Sequence, residues 1–226
     1  MNKLILMSLL LVSSTIFISS SVNSLSKEDG KTFGKEYFPT DIKNKLIYDS
    51  SFGELELKIS KENTVSVFNL DSEKFKYMQK IFVTDDGYYV TEMYQKVKLL
   101  LFITKEGKYV YDHPLLRVPL PVKIGDEWTW KGKEFVDDET HTVNVKGKAL
   151  AFESITVPAG KYDALEIQST LETSKGSKNI LTEWYAENLG MVKMKVEIQG
   201  GGILGFARDV LGYGEIIFDL KEIRNN

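Results

Sequence analysis

Hydrophobic and polar residues alternate along most of this chain with a period of two, which is typical of β-strands that bury one face. The clearest run is residues 54–59, where leucine or isoleucine alternates with glutamate or lysine. Val65 and Val67 follow after a short polar interval, so the pattern predicts a hairpin. The helical period of about 3.6 residues is almost absent. Residues 205–212 are the one segment where a short helix is expected.

Further strands are predicted by the same alternation, with turn residues between them at hairpin spacing. They are expected at residues 78–83, 88–93, 97–103, 109–111, 140–145, 149–157, 162–171, 180–185, 191–198 and 216–223. The sequences Asp-Asp-Gly at 85–87 and Lys-Glu-Gly at 105–107 are expected to be turns. About a dozen antiparallel strands indicate an all-β fold, either a curved sheet, a half-barrel, a barrel or a sandwich.

Two tight turns in the second half of the chain are predicted from proline and glycine. At residues 157–160 (Val-Pro-Ala-Gly), Pro158 lacks a backbone donor and Gly160 tolerates a positive φ, so a type II turn is expected. A second turn ends at Gly190, after a strand that closes with the aromatic pair 184–185. The favoured role of these turn residues is structural.

A weak internal repeat relates two segments of the chain. Residues 38–48 align without gaps on residues 120–130, and each segment contains a proline, a turn and a strand with two large side chains on one face. The repeat predicts two related halves of the fold. Two independent strand starts that share their turn chemistry explain the sequence equally well.

The first residues have the features of a secretory signal peptide. Lys3 is positively charged, residues 4–18 are apolar but diluted by serine and threonine, and residues 22–24 resemble a cleavage site. A membrane-spanning helix needs about 20 predominantly apolar residues, and this stretch is shorter. We therefore expect residues 1–24 to be removed, and the mature chain to be exported to the periplasm or beyond, without a transmembrane segment.

The rest of the chain is expected to form one domain. Residues 25–36 are polar and predict a flexible lead-in, and residues 37–226 are sufficient to bury a core. The absence of cysteine excludes disulfides, thiolate metal sites and lipid attachment through a thiol. The net charge of −3 comes from interspersed acidic and basic residues, which argues against a nucleic-acid partner.

Few motifs indicate catalysis. Residues 200–205 satisfy G-x-G-x-x-G, but the remaining chain is too short for a dinucleotide-binding βαβ unit of about 30 residues. Residues 137–141 (Asp-Asp-Glu-Thr-His) offer ligands for a hard cation, although a solvated hairpin tip is the favoured interpretation. No catalytic residue, metal site or cofactor is therefore predicted.

Several of these segments together resemble a known family. They are the aromatic-proline start at 37–39, residues 121–130, the turn Val-Pro-Ala-Gly-Lys-Tyr, and the hairpin Trp-Tyr-Ala-Glu-Asn-Leu-Gly-Met-Val-Lys at 184–193. They are similar to a family of exported, β-rich bacterial proteins that is known only as a domain of unknown function. The resemblance implies fold and compartment, and it supplies no catalytic residues.

The aromatic side chains and the glycine-flanked apolar segment near the C-terminus suggest binding. We expect the concave side of the sheet to bind an apolar small molecule, a lipid or an envelope protein. The predicted ligand-binding residues are Trp128, Trp130, Trp184, Tyr185, Ile203, Leu204 and Phe206. The alternatives are a carboxylate-dependent hydrolase of envelope glycans and a purely structural envelope protein. A deep apolar cavity favours carriage, and two carboxylates across an open cleft favour hydrolysis.

Overall fold

The computed structural model describes residues 30–100, 103–212 and 214–225. The strands are β1 (Thr32–Phe33), β2 (Lys45–Ser50), β3 (Gly53–Glu62), β4 (Val65–Asp71), β5 (Phe75–Val83), β6 (Gly87–Leu100), β7 (Ile103–Pro119), β8 (Val122–Lys123), β9 (Glu127–Val136), β10 (Glu139–Val157), β11 (Gly160–Thr173), β12 (Lys178–Ala186), β13 (Gly190–Ile198) and β14 (Glu215–Arg224). A 3-10 helix (Lys35–Tyr37) precedes β2, and an α-helix, α1 (Gly202–Leu211), precedes β14. The predicted signal peptide over residues 1–24 lies outside the described residues.

Twelve of the described strands form a closed antiparallel barrel. Strands β2 to β7 follow one another around the wall, and strands β9 to β14 do the same. The two runs are joined where β7 pairs with β9 and where β14 pairs with β2. Strands β1 and β8 pair with each other in a separate small sheet. The all-β antiparallel prediction is confirmed, and the curved sheet closes on itself.

The two aligned segments of the internal repeat lead into β2 and β9. These strands are the first of the two six-strand runs that make up the wall. The placement fits a fold of two related halves, which stays a prediction.

The alternation of side chains decides which face of each strand lines the lumen. In β13 the residues Val192, Met194, Val196 and Ile198 are buried, and partly exposed residues stand between them. The intervening lysines form ion pairs with β14, from Lys193 to Asp219 at 3.2 Å and from Lys195 to Glu215 at 2.8 Å. In β13 the period of two thus separates an apolar inward face from a charged outward face.

Residues 33–39, the N-terminal plug, pack into one end of the barrel. The side chain of Phe33 is 0% exposed, and its ring centroid lies 5.1 Å from that of Phe152. The ring of Phe38 lies 4.7 Å from that of Tyr185, measured between centroids. The lead-in predicted over residues 25–36 is therefore corrected in its described part, where strand β1 and the buried ring of Phe33 replace a loose polar segment.

One predicted turn is wrong. Residues 105–107 lie within β7, where they pair with residues 95–97 of β6. Glu106 faces Lys96, with a distance of 2.9 Å between Nζ and Oε2, and accepts a hydrogen bond of 2.8 Å from the Tyr94 hydroxyl. These cross-strand contacts favour a strand at a sequence whose composition is typical of a turn. Strand β6 likewise runs without a break from Gly87 to Leu100.

In the turn at residues 157–160, Gly160 has the expected positive φ, but it follows the two central residues of the turn and is not one of them. Val157 and Gly160 are paired across the hairpin, so Pro158 and Ala159 are its central residues. A type II turn would need a positive φ at Ala159, which it lacks, so this part of the expectation is wrong. Gly160 has a φ of 139° and Gly190 has a φ of 84°, and both lie in the region that favours glycine.

Gly160→Ala should lower the free energy of unfolding by about 1 kcal/mol or more, because alanine resists the positive φ at this position. The space around Gly160 is not limiting, since an added Cβ would lie 3.7 Å from the nearest atom, the Tyr162 hydroxyl oxygen. Urea unfolding of both proteins measures the change. Ala159→Ser is the matched control and should be nearly neutral; equal losses in the two variants would refute the conformational explanation.

Candidate functional site

The lumen contains three neighbouring cavities among the described residues. The mouth cavity, of about 500 Å³, lies at the end of the barrel next to α1. The middle cavity, of about 90 Å³, shares the lining residues Met93, Gln95, Leu171 and Asn179 with it. The plug cavity, of about 70 Å³, touches the N-terminal plug and shares Tyr77, Gln79 and Met194 with the middle cavity. The three cavities therefore follow one another along the barrel axis.

A charged network lines the mouth cavity. The His141 ring lies between two carboxylates, with 3.2 Å from Nδ1 to Oε1 of Glu134 and 2.9 Å from Nε2 to Oε2 of Glu139. Lys175 extends the network, with its Nζ 2.8 Å from Oε2 of Glu139. Both ring nitrogens of His141 are thus engaged, and the network gives the rim a fixed polar wall.

The two carboxyl groups of this network differ in their surroundings. Burial raises the pKa of Glu134, although the hydrogen bond with His141 opposes the shift. The hydrogen bonds from Lys175 and then His141 hold the pKa of Glu139 below its ordinary value. The inner carboxyl group therefore binds its proton more tightly than the outer one.

The cation site considered for residues 137–141 is not assembled. Asp137 takes a positive φ of 51° in the turn between β9 and β10, while His141 lies in β10 and is buried. Within the described part of the chain, no group of three or more His, Asp or Glu side chains is arranged to hold a metal ion.

A polar belt crosses the lumen between the middle and plug cavities. It consists of Tyr77, Gln79, Tyr88, Arg117, Glu183 and Tyr185. Nη2 of Arg117 is paired with Oε2 of Glu183, and both side chains are almost fully buried. Burial raises the pKa values of Tyr77, Tyr88 and Tyr185, so these hydroxyl groups remain neutral hydrogen-bonding groups.

Trp128 and Trp130 are buried in the barrel and line none of the three lumen cavities, although Trp128 touches a separate cavity of about 370 Å³, lined mostly by polar residues, beside Lys148 and Gln168. The indole nitrogen of Trp128 donates to the carbonyl oxygen of Arg117 at 2.9 Å, and that of Trp130 donates to the carbonyl oxygen of Pro114 at 3.0 Å. Both rings cover glycines. A Cβ added to Gly147 would lie 2.2 Å from the Trp128 ring. Both tryptophans therefore fill space in the core.

The other predicted ligand-binding residues divide between two faces. Trp184 lies at the outer surface, where its indole nitrogen donates to Glu153 at 3.1 Å and Nζ of Lys193 lies 5.8 Å from its ring centroid. Tyr185 lines the plug cavity, and Ile203 and Phe206 line the mouth cavity. Leu204 belongs to α1, and its side chain lies outside what the structure describes. The seven residues do not form one site.

Sequence reasoning missed the charged side chains that face the lumen. Glu134 follows Trp128 and Trp130 at even spacing on β9, and Glu183 precedes Tyr185 by two positions on β12. Each therefore lies in phase with aromatic residues on the inward face. A charge in phase with large apolar side chains is the signal that identifies such residues.

No helix in the described residues is both long enough and apolar enough to cross a membrane.

Gly147→Ala should lower the free energy of unfolding by about 1–3 kcal/mol, because the new methyl group collides with the Trp128 ring and the indole must move. Near-ultraviolet circular dichroism and urea unfolding report the indole environment and the stability. Gly214→Ala is the control, since an added Cβ there meets no atom within 4 Å. A stable Gly147→Ala variant with an unchanged spectrum would contradict the close packing.

Glu134→Gln and Glu139→Gln should change the pH dependence of stability in opposite directions. The raised pKa of Glu134 makes its contribution complete below the ordinary value of 4.5, and that contribution is lost as the pH rises through the raised value. The lowered pKa of Glu139 makes its contribution present above 4.5 and lost as the pH falls. From about pH 4 to pH 7, wild type should weaken relative to Glu134→Gln and strengthen relative to Glu139→Gln. Urea unfolding across this pH range measures the difference in free energy of unfolding between wild type and each variant. If that difference changed with pH in the same way for both variants, the opposite pKa directions of Glu134 and Glu139 would be contradicted.

Comparisons with solved structures return weak similarity over most of the chain. A protein from Parabacteroides distasonis, described as a candidate lipoprotein, has a TM-score of 0.39 and 13% identity, covering 83% of this chain and 98% of its own. A protein from Bacteroides fragilis, described as a candidate exported protein with a YmcC-like fold, has a TM-score of 0.40 and 11% identity, covering 86% of this chain and 100% of its own. Among curated proteins, none matches the chain.

A family match lies in the second half of the barrel wall. It begins at Trp128 in β9 and ends at Glu197 in β13, so it includes the Val-Pro-Ala-Gly turn and the Trp-Tyr hairpin. These are two of the four segments on which the resemblance to a family of unknown function was based, and the expected similarity to such a family is confirmed. Residues 128–197 are similar to the DUF3108-like family.

Proposed function

We propose that this protein is an exported, non-enzymatic carrier that binds an apolar small molecule or a lipid chain in the lumen of its barrel. The observation that supports the proposal is the mouth cavity of about 500 Å³, which meets a mostly apolar middle cavity through shared lining residues. Ligand pockets in proteins commonly have volumes of about 300–1,000 Å³. Export rests on the leader-like sequence of residues 1–24.

The chemistry along the lumen favours an amphipathic ligand. The wall of the mouth cavity includes Glu134, Glu139, His141 and Lys175, whereas most side chains around the middle cavity are aliphatic or aromatic. A ligand that enters through the mouth would keep polar groups near the rim and bury a hydrocarbon part beyond Leu171. Burial of that part contributes about 25 cal/mol per Å² of apolar surface.

Helix α1 partly covers the mouth. Ile203 and Phe206 line the cavity, and Nζ of Lys105 lies 5.2 Å from the Phe206 ring centroid. A guanidinium nitrogen of Arg208 donates to the carbonyl oxygen of Ile198 at 3.3 Å, which fixes the far end of the helix to β13. We infer that α1 is the cover that a ligand displaces.

The glycines before α1, Gly200 and Gly201, pack closely against the backbone of residues 176–178. The N–H of Gly200 donates to the carbonyl oxygen of Lys178 at 3.0 Å, and that of Gly201 donates to the carbonyl oxygen of Gly176 at 2.9 Å. A Cβ on Gly200 would lie 2.2 Å from the carbonyl oxygen of Gly176. Close backbone packing therefore requires glycine at this position, and the same packing anchors the start of the cover.

The arrangement of carboxylates does not support the hydrolase alternative. Glu134 and Glu139 contact the same imidazole ring through opposite nitrogens, and Glu139 also contacts Lys175. Glycosidase chemistry needs one carboxyl group to act as an acid and the other as a base or nucleophile, on opposite sides of a substrate bond. Here the imidazole occupies the space between them.

Leu171→Trp should weaken the binding of a neutral apolar probe by about tenfold or more, because the larger ring fills the passage between the mouth and middle cavities. Titration with N-phenyl-1-naphthylamine, followed by fluorescence, measures the affinity. Val110→Trp is the matched control, since Val110 is 37% exposed on the outer surface of β7. Failure of wild type to bind any apolar probe, or equal affinities in all three proteins, would overturn the proposal.

A further inference from the structure

The middle cavity contains polar atoms that the fold leaves without a partner. Arg117 is 6% exposed and lines this cavity, and its Nε has no hydrogen-bond partner among the described residues. The Asn179 side chain lines the same cavity, and its buried Oδ1 also lacks a partner there. One unpartnered donor and one unpartnered acceptor therefore belong to side chains that line a space that is otherwise mostly apolar.

These atoms are fixed in place. Nη2 of Arg117 is paired with Glu183, and the carbonyl oxygen of Arg117 accepts from the Trp128 indole at 2.9 Å. The amide nitrogen of Asn179 donates to the Ser177 hydroxyl at 3.4 Å, which orients Oδ1 away from Ser177. An unpaired buried polar group destabilises the folded state, so a ligand group that bonds to it gains affinity.

The charges of Arg117 and Glu183 determine which kind of ligand group the middle cavity accepts. Glu183 already neutralises the Arg117 guanidinium, so a second carboxylate in the cavity would lie near Glu183 in a medium of low polarity. A ligand ammonium group would face Arg117. A neutral hydroxyl avoids both repulsions, and it can accept from Arg117 Nε and donate to Asn179 Oδ1.

We propose that the end of the ligand that enters the middle cavity carries a neutral hydroxyl, bound between Arg117 and Asn179. This inference rests on the proposed carrier function and names the chemical class of its ligand, an aliphatic alcohol. The middle cavity, of about 90 Å³, is much smaller than the mouth cavity of about 500 Å³, so the hydroxyl enters it with only the last few carbons of the chain.

A series of short ligands with one chain length tests the inference. Octan-1-ol, n-octane, octanoate and octylammonium compete with N-phenyl-1-naphthylamine for wild type and for variants, and the ratio of octanol to octane affinity is the readout. The ratio should fall by about fivefold to tenfold in the double variant Arg117→Met, Glu183→Leu, which removes the charged pair together. Octane affinity should change little.

Two further variants keep the test informative if the double variant does not fold. Asn179→Leu should lower the same ratio while the polar belt stays intact. Glu183→Gln should let octanoate bind better than octanol, because Arg117 then lacks its counter-charge. Gln168→Leu is the control on the outer wall, where Gln168 bonds to Thr182 at 3.3 Å, and it should leave every ratio unchanged.

The outcomes separate the two proposals. An octanol to octane ratio that is the same in wild type, the double variant and Asn179→Leu would overturn the hydroxyl site while leaving the carrier function in place. Failure of all four ligands and the fluorescent probe to bind wild type would overturn both proposals.

Discussion

Closure of the sheet is the constraint on which the rest of this structure depends. Because β14 pairs with β2 and β7 pairs with β9, twelve strands enclose one lumen. Side chains just fill the interior of an eight-stranded barrel, and a barrel of twelve strands is wider. The extra space must be filled by other means. Here indole rings lie over Gly132 and Gly147, and the N-terminal plug inserts its aromatic rings into one end.

The buried ion pair of Arg117 and Glu183 also occupies part of the lumen, and its main effect is to divide the lumen. A charged pair removed from water contributes little net stability, because the loss of hydration offsets the attraction between its members. The pair of Arg117 and Glu183 nevertheless sets two chemically different spaces on either side of the polar belt. Arg117 lines the space toward the mouth, and Tyr88 and Tyr185 line the space toward the plug.

The sequence predicts the strands well because alternation is a local property. The hairpin of β3 and β4 and the strands β11 to β14 follow it closely, whereas the strands expected at 140–145 and 149–157 are one strand, β10. Local composition failed at residues 105–107, because the partners that keep this segment extended lie on β6 and are known only once the register is known. Closure of the barrel has no local signal in the sequence either, because it pairs residues that are distant along the chain, such as Phe218 and Ser50. The site was missed for the same reason: Arg117 and Glu183 are 66 positions apart in the sequence.

The order of the cavities gives the molecule a direction. The described chain begins at β1 beside the plug, and β14 ends at Arg224, which pairs with Lys45 directly after the plug region. Both described ends of the chain therefore lie at the plug end. Connections between strands contribute to the wall of the mouth cavity, among them the turn at 137–138, residues 174–177 and α1. Insertions or exchanges in these connections would therefore reshape the opening without altering the plug.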